Sequence, residues 1–233
     1  MEKYDVVYIL KNNIDPTELR YSIRSVVKNF PYRKIWFYGG RPSSIIPDDG
    51  VYFEQIGSSK YEKAAYAWKK VFQNNQITED FWLFNDDFFV MSKINDVLPI
   101  VNGTLYHHIK KIEKRNGSRS SYSRKLGQTM EYLKDHGYDY LNYEVHIPML
   151  INRKKALDVI NVPNYNYAFR SMYGNIYTVA ARLEPDVKIV KLDEEPDPDI
   201  HNYYLSTSND SFRDGVVGKY IRERFKESTR YEL

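Results

Sequence analysis

The sequence contains no cysteine. This absence excludes disulfides, thiolate-bound zinc, iron–sulfur clusters and every cysteine nucleophile. The chain also has no stretch near the ~20 consecutive apolar residues of a membrane-spanning helix. Its first residues, Met1-Glu2-Lys3-Tyr4-Asp5, lack the basic start and the apolar run of a signal peptide. We therefore expect a cytoplasmic protein with no membrane span.

Net charge is small as well, because 34 Lys and Arg residues oppose 31 Asp and Glu residues and leave +3. A balance this close to neutral argues against a protein built mainly to bind nucleic acid. The charges are nevertheless grouped: residues 107–125 include seven basic residues and one acidic residue, whereas 193–199 is acidic and interrupted by two prolines. We expect the middle of the basic block, around Asn116-Gly117-Ser118, to be a solvated loop, and the acidic stretch to be a turn.

What the chain does contain is typical of a folded α/β protein. Its 233 residues, with 42% hydrophobic and 15% aromatic side chains, are enough for a sizeable core. Short apolar runs predict four strands in the first ninety residues, at 6–10, 34–38, 51–56 and 81–84. The run Asp15-Pro16-Thr17-Glu18 predicts a helix start, with Asp as N-cap and Glu at the third helical position. This order predicts a single α/β domain with a mostly parallel central sheet and helices on both faces.

The strongest chemical signal is the acidic pair Asp86 and Asp87, which directly follows the predicted strand at 81–84. Carboxylates flanked by large apolar residues are costly to place unless a positive charge neutralises them. Ligands of open α/β sheets bind outside the carboxyl ends of the strands. The pair therefore predicts a divalent cation that neutralises a diphosphate leaving group. The alternative is a turn in which one Asp caps a helix or a loop.

Two further segments carry candidate chemistry. In the run Tyr143–Leu150, alternation along a predicted strand places Glu144 and His146 on one face, about 7 Å apart. They could be a general base and its partner, or a metal ligand and its support, but the polar face of a half-exposed strand explains them equally well. Arg170, between aromatic residues and a glycine, suits a phosphate clamp or an ordinary surface ion pair.

The order of these motifs resembles Stealth-type sugar-phosphate transferases, which also have a His-x-Pro motif followed by Phe-Arg-Ser. A closer similarity is to the small glycosyltransferases encoded by bacteriophages, which have the GT-A nucleotide-sugar fold. The likeness covers nearly the whole chain, in order. The segments that carry it are Asn85-Asp86-Asp87-Phe88-Phe89, His146-Ile147-Pro148, Phe169-Arg170-Ser171, Ser206-Thr207-Ser208 and Gly215–Ile221.

The resemblance implies roles for these residues within a GT-A-like, Rossmann-like domain. Asp86 and Asp87 take the place of the Asp-x-Asp motif that binds Mn²⁺ or Mg²⁺ together with the nucleotide diphosphate. Because the chain has Asn-Asp-Asp, Asp87 is the firmer metal ligand, and Asp86 either shares the metal or contacts the ribose or donor sugar. His146 and Arg170 match the Stealth positions of a base and a phosphate partner. Glu144 is the rival base if the reaction is glycosyl transfer.

The same resemblance implies a donor-binding half at 1–92 and an acceptor and catalytic half at 93–233. In the first half, Lys60 and Lys63 are expected to hold the diphosphate, and Asn12 to lie beside the nucleotide base. The implied activity is that of a hexosyltransferase moving sugar from a nucleotide-sugar donor, such as a UDP-sugar, to a protein or glycan acceptor, in the bacterial host cytoplasm if the gene is a phage gene. The alternatives are a Stealth-like sugar-1-phosphate transferase and a non-catalytic sugar- or nucleotide-binding module of a virion.

Overall fold

A computed structural model describes residues 3–94, 99–163 and 166–233. The chain forms two compact units. Unit 1 comprises 3–94, 146–153 and 187–233, and unit 2 comprises 99–145, 154–163 and 166–186. Our functional division of the chain at residue 92 stays a prediction.

Strands and helices alternate in the first part of the chain, as the sequence predicts. The strands are β1 (Tyr4–Leu10), β2 (Tyr32–Gly39), β3 (Asp49–Tyr52), β4 (Asp80–Phe84), β5 (Phe88–Val90), β6 (Ile100–Val101), β7 (Met149–Asn152), β8 (Arg182–Leu183), β9 (Lys188–Ile189) and β10 (Tyr204–Thr207). The helices are α1 (Pro16–Asn29), α2 (Lys60–Gln73), α3 (Leu105–Asn116), α4 (Ser121–Asp135), α5 (Arg153–Ile160), α6 (Phe169–Ile176), α7 (Asn209–Asp214) and α8 (Val216–Arg224).

Unit 1 is built on a five-stranded sheet with the strand order β3-β2-β1-β4-β7. Its first four strands are parallel, and β7 joins β4 antiparallel. The sheet is therefore mostly parallel, as predicted, although β3 ends at Tyr52 rather than extending to residue 56. A second sheet, with the order β5-β10-β9, continues from the carboxyl end of β4.

Helix α1 begins as the sequence predicts. Asp15 is its N-cap and accepts a hydrogen bond from the Thr17 backbone N–H. The buried face of the helix carries Leu19, Ile23 and Val26. Glu18, at the third helical position, accepts a hydrogen bond from the Thr207 hydroxyl.

In unit 2 the middle of the basic block at 107–125 is an exposed loop, as expected, but helices lie on both sides of it. Helix α3 covers 107–116, and Gly117, with a left-handed φ of 69°, ends that helix before α4 begins at Ser121. Leu105, Ile109 and Ile112 give α3 a buried face at helical spacing. The charge pattern therefore belongs to helices, with only 117–120 between them outside helical structure. Residues 193–199 contain neither helix nor strand, as expected.

Candidate active site

Asp86 and Asp87 lie in the turn between β4 and β5, at the carboxyl end of a central strand. Helix α1 holds this turn in place through buried serines. Ser22 Oγ donates to the Phe88 carbonyl oxygen at 2.5 Å. Ser25 Oγ accepts a hydrogen bond from the Val90 backbone N–H at 2.9 Å. These two contacts fix the backbone of β5, directly after the carboxyl pair.

The second sheet brings two side chains to Asp87. Lys188 Nζ lies 2.8 Å from Asp87 Oδ2, and Ser206 Oγ lies 3.2 Å from the same oxygen. The register explains this arrangement, because Ser206 of β10 pairs with Phe88 of β5 on one side and with Lys188 of β9 on the other. The side chains of Asp87 and Lys188 are only 15% and 24% exposed, so the ion pair is partly shielded from water.

A third carboxyl group, that of Glu18, belongs to the same unit and lies near this pair. Glu18 is 9% exposed, and Thr207 Oγ1 donates to its Oε1 at 2.5 Å. Burial, opposed by the Thr207 hydrogen bond and reinforced by the charges of Asp87 and Asp86, raises the pKa of Glu18 to about 7. Burial and the adjacent Asp87 charge likewise raise the pKa of Asp86 to about 6. Burial is the main cause of both shifts, and repulsion between the neighbouring carboxyl groups adds to it.

These side chains fit a divalent cation. Carboxylate and hydroxyl oxygens are the ligands preferred by Mg²⁺ and Mn²⁺, and the raised pKa of Asp86 indicates a carboxylate that lacks a sufficient positive charge. Within residues 3–94, 99–163 and 166–233, no group of three or more His, Asp or Glu side chains is arranged to hold a metal ion. A cation at Asp86 and Asp87 would therefore take further ligands from a bound diphosphate and water.

An open cleft of about 420 Å³ lies at the carboxyl ends of β1 and β2 and contains Asn12. Its lining also includes Asn13, Gly39, Gly40, Arg41, Tyr52, Phe53 and Glu54. Asn12 Oδ1 accepts a hydrogen bond from the Gln55 backbone N–H at 3.2 Å, which ties the loop after β1 to the segment after β3. A Cβ at Gly40 would overlap the Lys11 carbonyl, so glycine is needed where these backbones meet. The cleft is shaped by main chain and has room for a flat ligand.

Lys60 and Lys63 are exposed in the first turn of α2, and neither lines this cleft. The ammonium of Lys60 lies 5.2 Å from the ring centroid of Tyr61. Their assignment to the donor diphosphate stays a prediction.

The strand predicted around Glu144 and His146 does not form before Met149, where β7 begins. Glu144 Oε1 instead accepts the backbone N–H of Ser171 at 2.9 Å. That N–H lies in the first turn of α6, whose own N-cap makes no side-chain hydrogen bond. The carboxylate thus caps a helix, which favours a negative group at its amino end, and the inference that alternation aligns Glu144 with His146 is wrong.

Arg170 is 8% exposed, and its Nη1 donates to the Val145 carbonyl oxygen at 3.1 Å. It is therefore not an ordinary surface ion pair. Arg170 and Glu144 both belong to unit 2, whereas His146 belongs to unit 1. His146 is half-buried and meets the Phe88 ring edge-on, with 6.5 Å between the ring centroids. Within unit 1, His146 therefore lies against the residue that follows Asp87.

Sequence reasoning assigned no role to four residues of the unit 1 cluster, Glu18, Lys188, Ser206 and Thr207, although Ser206 and Thr207 belong to a segment that carries the resemblance. It also missed a buried lysine in unit 2, Lys125. Burial lowers the pKa of Lys125, although the charge of Glu144 opposes this shift. One signal was present for Glu18 and Lys125, because each lies at helical spacing on the apolar side of its helix. A charged residue on a buried face indicates a partner there.

No family model matches the chain, and no curated protein is similar to it in sequence. Solved structures are similar in fold. The galactosyltransferase LgtC, in complex with donor and acceptor sugar analogues, has a TM-score of 0.52 at 13% identity, covering 97% of this chain and 96% of that chain. The apo form of the glycosyltransferase GlyE of Streptococcus pneumoniae TIGR4 has a TM-score of 0.45 at 12% identity, covering 97% of this chain and 61% of that chain. Mouse xyloside xylosyltransferase 1 has a TM-score of 0.38 at 9% identity, covering 100% of this chain and 96% of that chain.

The similarity to LgtC confirms the predicted fold, a mixed α/β architecture of the GT-A type with a mostly parallel central sheet. In the part of the chain that the structure describes, no helix is long and apolar enough to cross a membrane.

Proposed function

We propose that this protein is a glycosyltransferase of the hexosyltransferase type, moving a sugar from a UDP-sugar such as UDP-glucose to a hydroxyl of a protein or glycan in the cytoplasm. The observation that carries this function is the carboxyl pair Asp86 and Asp87 at the end of the central strand β4, in a chain whose fold is similar to LgtC over 97% of its length. We also propose the relation to Stealth-type and phage-encoded transferases whose motifs the sequence carries, with a bacterial host cytoplasm as the site of action.

The cleft beside Asn12 supports the donor class. Its backbone walls at Gly39 and Gly40 suit a flat base, and the Arg41 guanidinium lies 5.2 Å from the Tyr52 ring centroid on the same lining. An arginine at this position offers donors to phosphate or carbonyl oxygens of a nucleotide. Lys60 and Lys63, close by in sequence, are proposed to contact the diphosphate from α2.

Asp86 and Asp87 would hold Mn²⁺ or Mg²⁺, which when bound neutralises the charge that develops on the departing diphosphate. Ser22 and Ser25 keep the turn that carries these carboxylates fixed through their bonds to β5. Positions held by buried backbone contacts need no reorganisation during the reaction, and such preorganisation is the main source of electrostatic catalysis.

His146 is the proposed base for the acceptor hydroxyl. Its imidazole lies against Phe88 in the unit that contains Asp86 and Asp87, and histidine is the side chain that most often serves as a general base. In Glu144, the other candidate base, one carboxylate oxygen already accepts a hydrogen bond from the Ser171 backbone N–H. Arg170 and Glu144 are then positioning residues, since both hold the backbone at 144–145 immediately before His146.

The test is a thermal shift screen of nucleotides and nucleotide sugars, with and without Mn²⁺. A ligand at a hundred times its dissociation constant stabilises by ~2.7 kcal/mol, which is a measurable change in melting temperature. We expect UDP or a UDP-sugar to raise the melting temperature more with Mn²⁺ than without it, and Asp87→Asn to abolish the Mn²⁺ contribution. Asp135→Asn, a change of the same kind at an exposed site in α4, is the matched control.

Product analysis then separates glycosyl transfer from its nearest alternative. Release of the nucleoside diphosphate supports the proposal, whereas release of the monophosphate identifies a Stealth-like phosphosugar transferase. If no nucleotide sugar changes the melting temperature, the proposal is wrong. Donor binding without turnover on any acceptor, unaltered by Asp87→Asn, would instead indicate a non-catalytic sugar- or nucleotide-binding virion module.

A further inference from the structure

The ion pair between Lys188 and Asp87 occupies one of the two carboxylate oxygens of the proposed metal ligand. Asp87 Oδ2 accepts from Lys188 Nζ at 2.8 Å and from Ser206 Oγ at 3.2 Å. A carboxylate oxygen has two lone-pair sites, so these two donors fill both. A divalent cation cannot bind this oxygen until one of the donors leaves.

Electrostatic repulsion points to the lysine as the donor that must leave. A cation bound through the other oxygen of Asp87 would still lie within a few ångströms of the ammonium, and like charges that close repel strongly in a partly buried site. Ser206 carries no charge, and its hydroxyl can rotate to become a metal ligand or remain a neutral neighbour. The backbone of Lys188 is fixed by its pairing with β10, whereas its side chain keeps 24% of its exposure and can turn outward.

We propose that Lys188 is a built-in counter-ion that competes with the divalent cation for Asp87 and passes to the donor diphosphate when the donor binds. The inference rests on the proposed function, since it takes the metal and the diphosphate from there. An ammonium that has left Asp87 remains close to the carboxylate on its flexible four-carbon stem, and phosphate oxygens are its natural acceptors. Metal and donor binding are then coupled through a residue of this chain, in addition to their direct contact.

The consequence is that the chain alone binds the cation weakly and the chain with donor binds it well. Coupling of this kind is reciprocal, so a change in one affinity caused by the other ligand must appear in both titrations. Removing the ammonium should strengthen binding of the cation alone and reduce the extra gain that the donor brings.

The experiment is a titration with Mn²⁺ alone, followed by electron paramagnetic resonance of the free ion, on the full chain with no donor present. We expect Lys188→Met to bind Mn²⁺ about tenfold more tightly than the wild type, a typical size for coupling between neighbouring sites. Lys188→Arg keeps the positive charge beside Asp87 and should therefore not show the tighter binding of Lys188→Met. Lys219→Met removes an exposed lysine of α8 and is the control for net charge. Urea unfolding of each variant verifies that it is folded.

A second titration, with saturating UDP, tests the transfer of Lys188 to the donor. UDP should increase the Mn²⁺ affinity of the wild type by a larger factor than that of Lys188→Met. In the double variant with Asp87→Asn, the gain from Lys188→Met should disappear, because the lysine acts through that carboxylate.

The outcomes separate this inference from the proposed function. If the wild type and Lys188→Met bind Mn²⁺ equally, or the variant binds it more weakly, the inference is wrong and the metal site stands. If neither binds Mn²⁺ with or without UDP, although UDP itself stabilises both, the metal site and the inference fail while donor binding remains. If Lys219→Met increases Mn²⁺ affinity as much as Lys188→Met does, the inference is also wrong, because the change in affinity would then follow from the net charge of the protein alone.

Discussion

The carboxyl group of Glu18 should lower the stability of the unliganded protein at alkaline pH. Its pKa rises from 4.5 to about 7 in the folded chain, chiefly through burial. Folded protein therefore holds this proton more tightly than unfolded protein does. The associated stability is fully present below about pH 4.5 and is lost as the pH rises through about 7. At about 1.4 kcal/mol per pKa unit, the loss is ~3 kcal/mol.

The substitution Glu18→Gln tests this value directly. Glutamine stays neutral and keeps an oxygen that can accept from Thr207 Oγ1. We expect the free energies of unfolding of variant and wild type to be nearly equal at pH 4.5, and the variant to be more stable by ~3 kcal/mol at pH 8.5. For a chain of this size the difference corresponds to a rise of roughly 6–12 °C in melting temperature.

The assay is urea unfolding followed by tryptophan fluorescence, in EDTA, at a series of pH values. All three tryptophans, Trp36, Trp68 and Trp82, lie in unit 1 together with Glu18, so the signal reports the relevant unit. Glu62→Gln is the control, because Glu62 is exposed and its hydrogen bond to the Ser58 backbone lowers its pKa. That variant should gain no stability at pH 8.5. A stability difference between Glu18→Gln and wild type that stays constant from pH 4.5 to 8.5 would refute the reasoning.

Three backbone and core contacts give the remaining predictions. Asp5→Ala removes the carboxylate that accepts two hydrogen bonds from Arg33, at 2.8 and 2.6 Å. It should lower the free energy of unfolding in urea by about 3 kcal/mol, and an unchanged unfolding midpoint would contradict this prediction. Gly174→Ala places a Cβ 2.5 Å from the Tyr143 ring, so we expect faster amide hydrogen exchange in α6, and exchange at the wild-type rate would disprove the clash. In Gly40→Ala the new Cβ would overlap the Lys11 carbonyl oxygen in the loop after β1. We expect calorimetry to show UDP binding weakened on the order of tenfold, and unchanged binding would mean that the cleft is not the donor site.

Local patterns were sufficient for the first half of the fold. Continuous apolar runs fixed β1, β2 and β4 because a strand buried on both faces must be apolar throughout, and the N-cap at Asp15 is a contact between neighbours in the sequence. The third strand was predicted too long, since Phe53 leaves the sheet after its N–H bonds the Gly39 carbonyl. At 107–125 the run Asn116-Gly117-Ser118 was sufficient to predict the loop, whereas the charges gave no indication of α3, whose buried face carries Ile109 and Ile112.

The candidate site was predicted only where a strand end identifies it. Asp86 and Asp87 follow β4 directly, but their partners come from far along the chain, with 101 residues between Asp87 and Lys188 and 189 between Glu18 and Thr207. The placement of β10 between β5 and β9 creates both contacts, and no local pattern encodes that register. Glu144 was expected on one face of a strand, but its carboxylate instead caps α6, which begins at Phe169.

The charged groups around Asp87 predict that substitutions at Glu18 and Lys188 change cation affinity in opposite directions. The charges of Asp87 and Asp86 raise the pKa of Glu18, so the three carboxyl groups interact. Glu18→Gln removes one of these negative charges and should weaken Mn²⁺ binding at pH 8.5 while stabilising the unliganded chain. Lys188→Met removes a positive charge and should strengthen Mn²⁺ binding. The double variant should lie between the two, since the substitutions act on the same ion from separate side chains. Manganese titrations of the four proteins decide the question: equal binding by Glu18→Gln and the wild type would mean that this carboxyl group is uncharged in the folded protein at that pH, and tighter binding by the variant would contradict the electrostatic argument. A carboxylate that lowers stability without ligand and strengthens cation binding is what a site selected for function rather than stability contains.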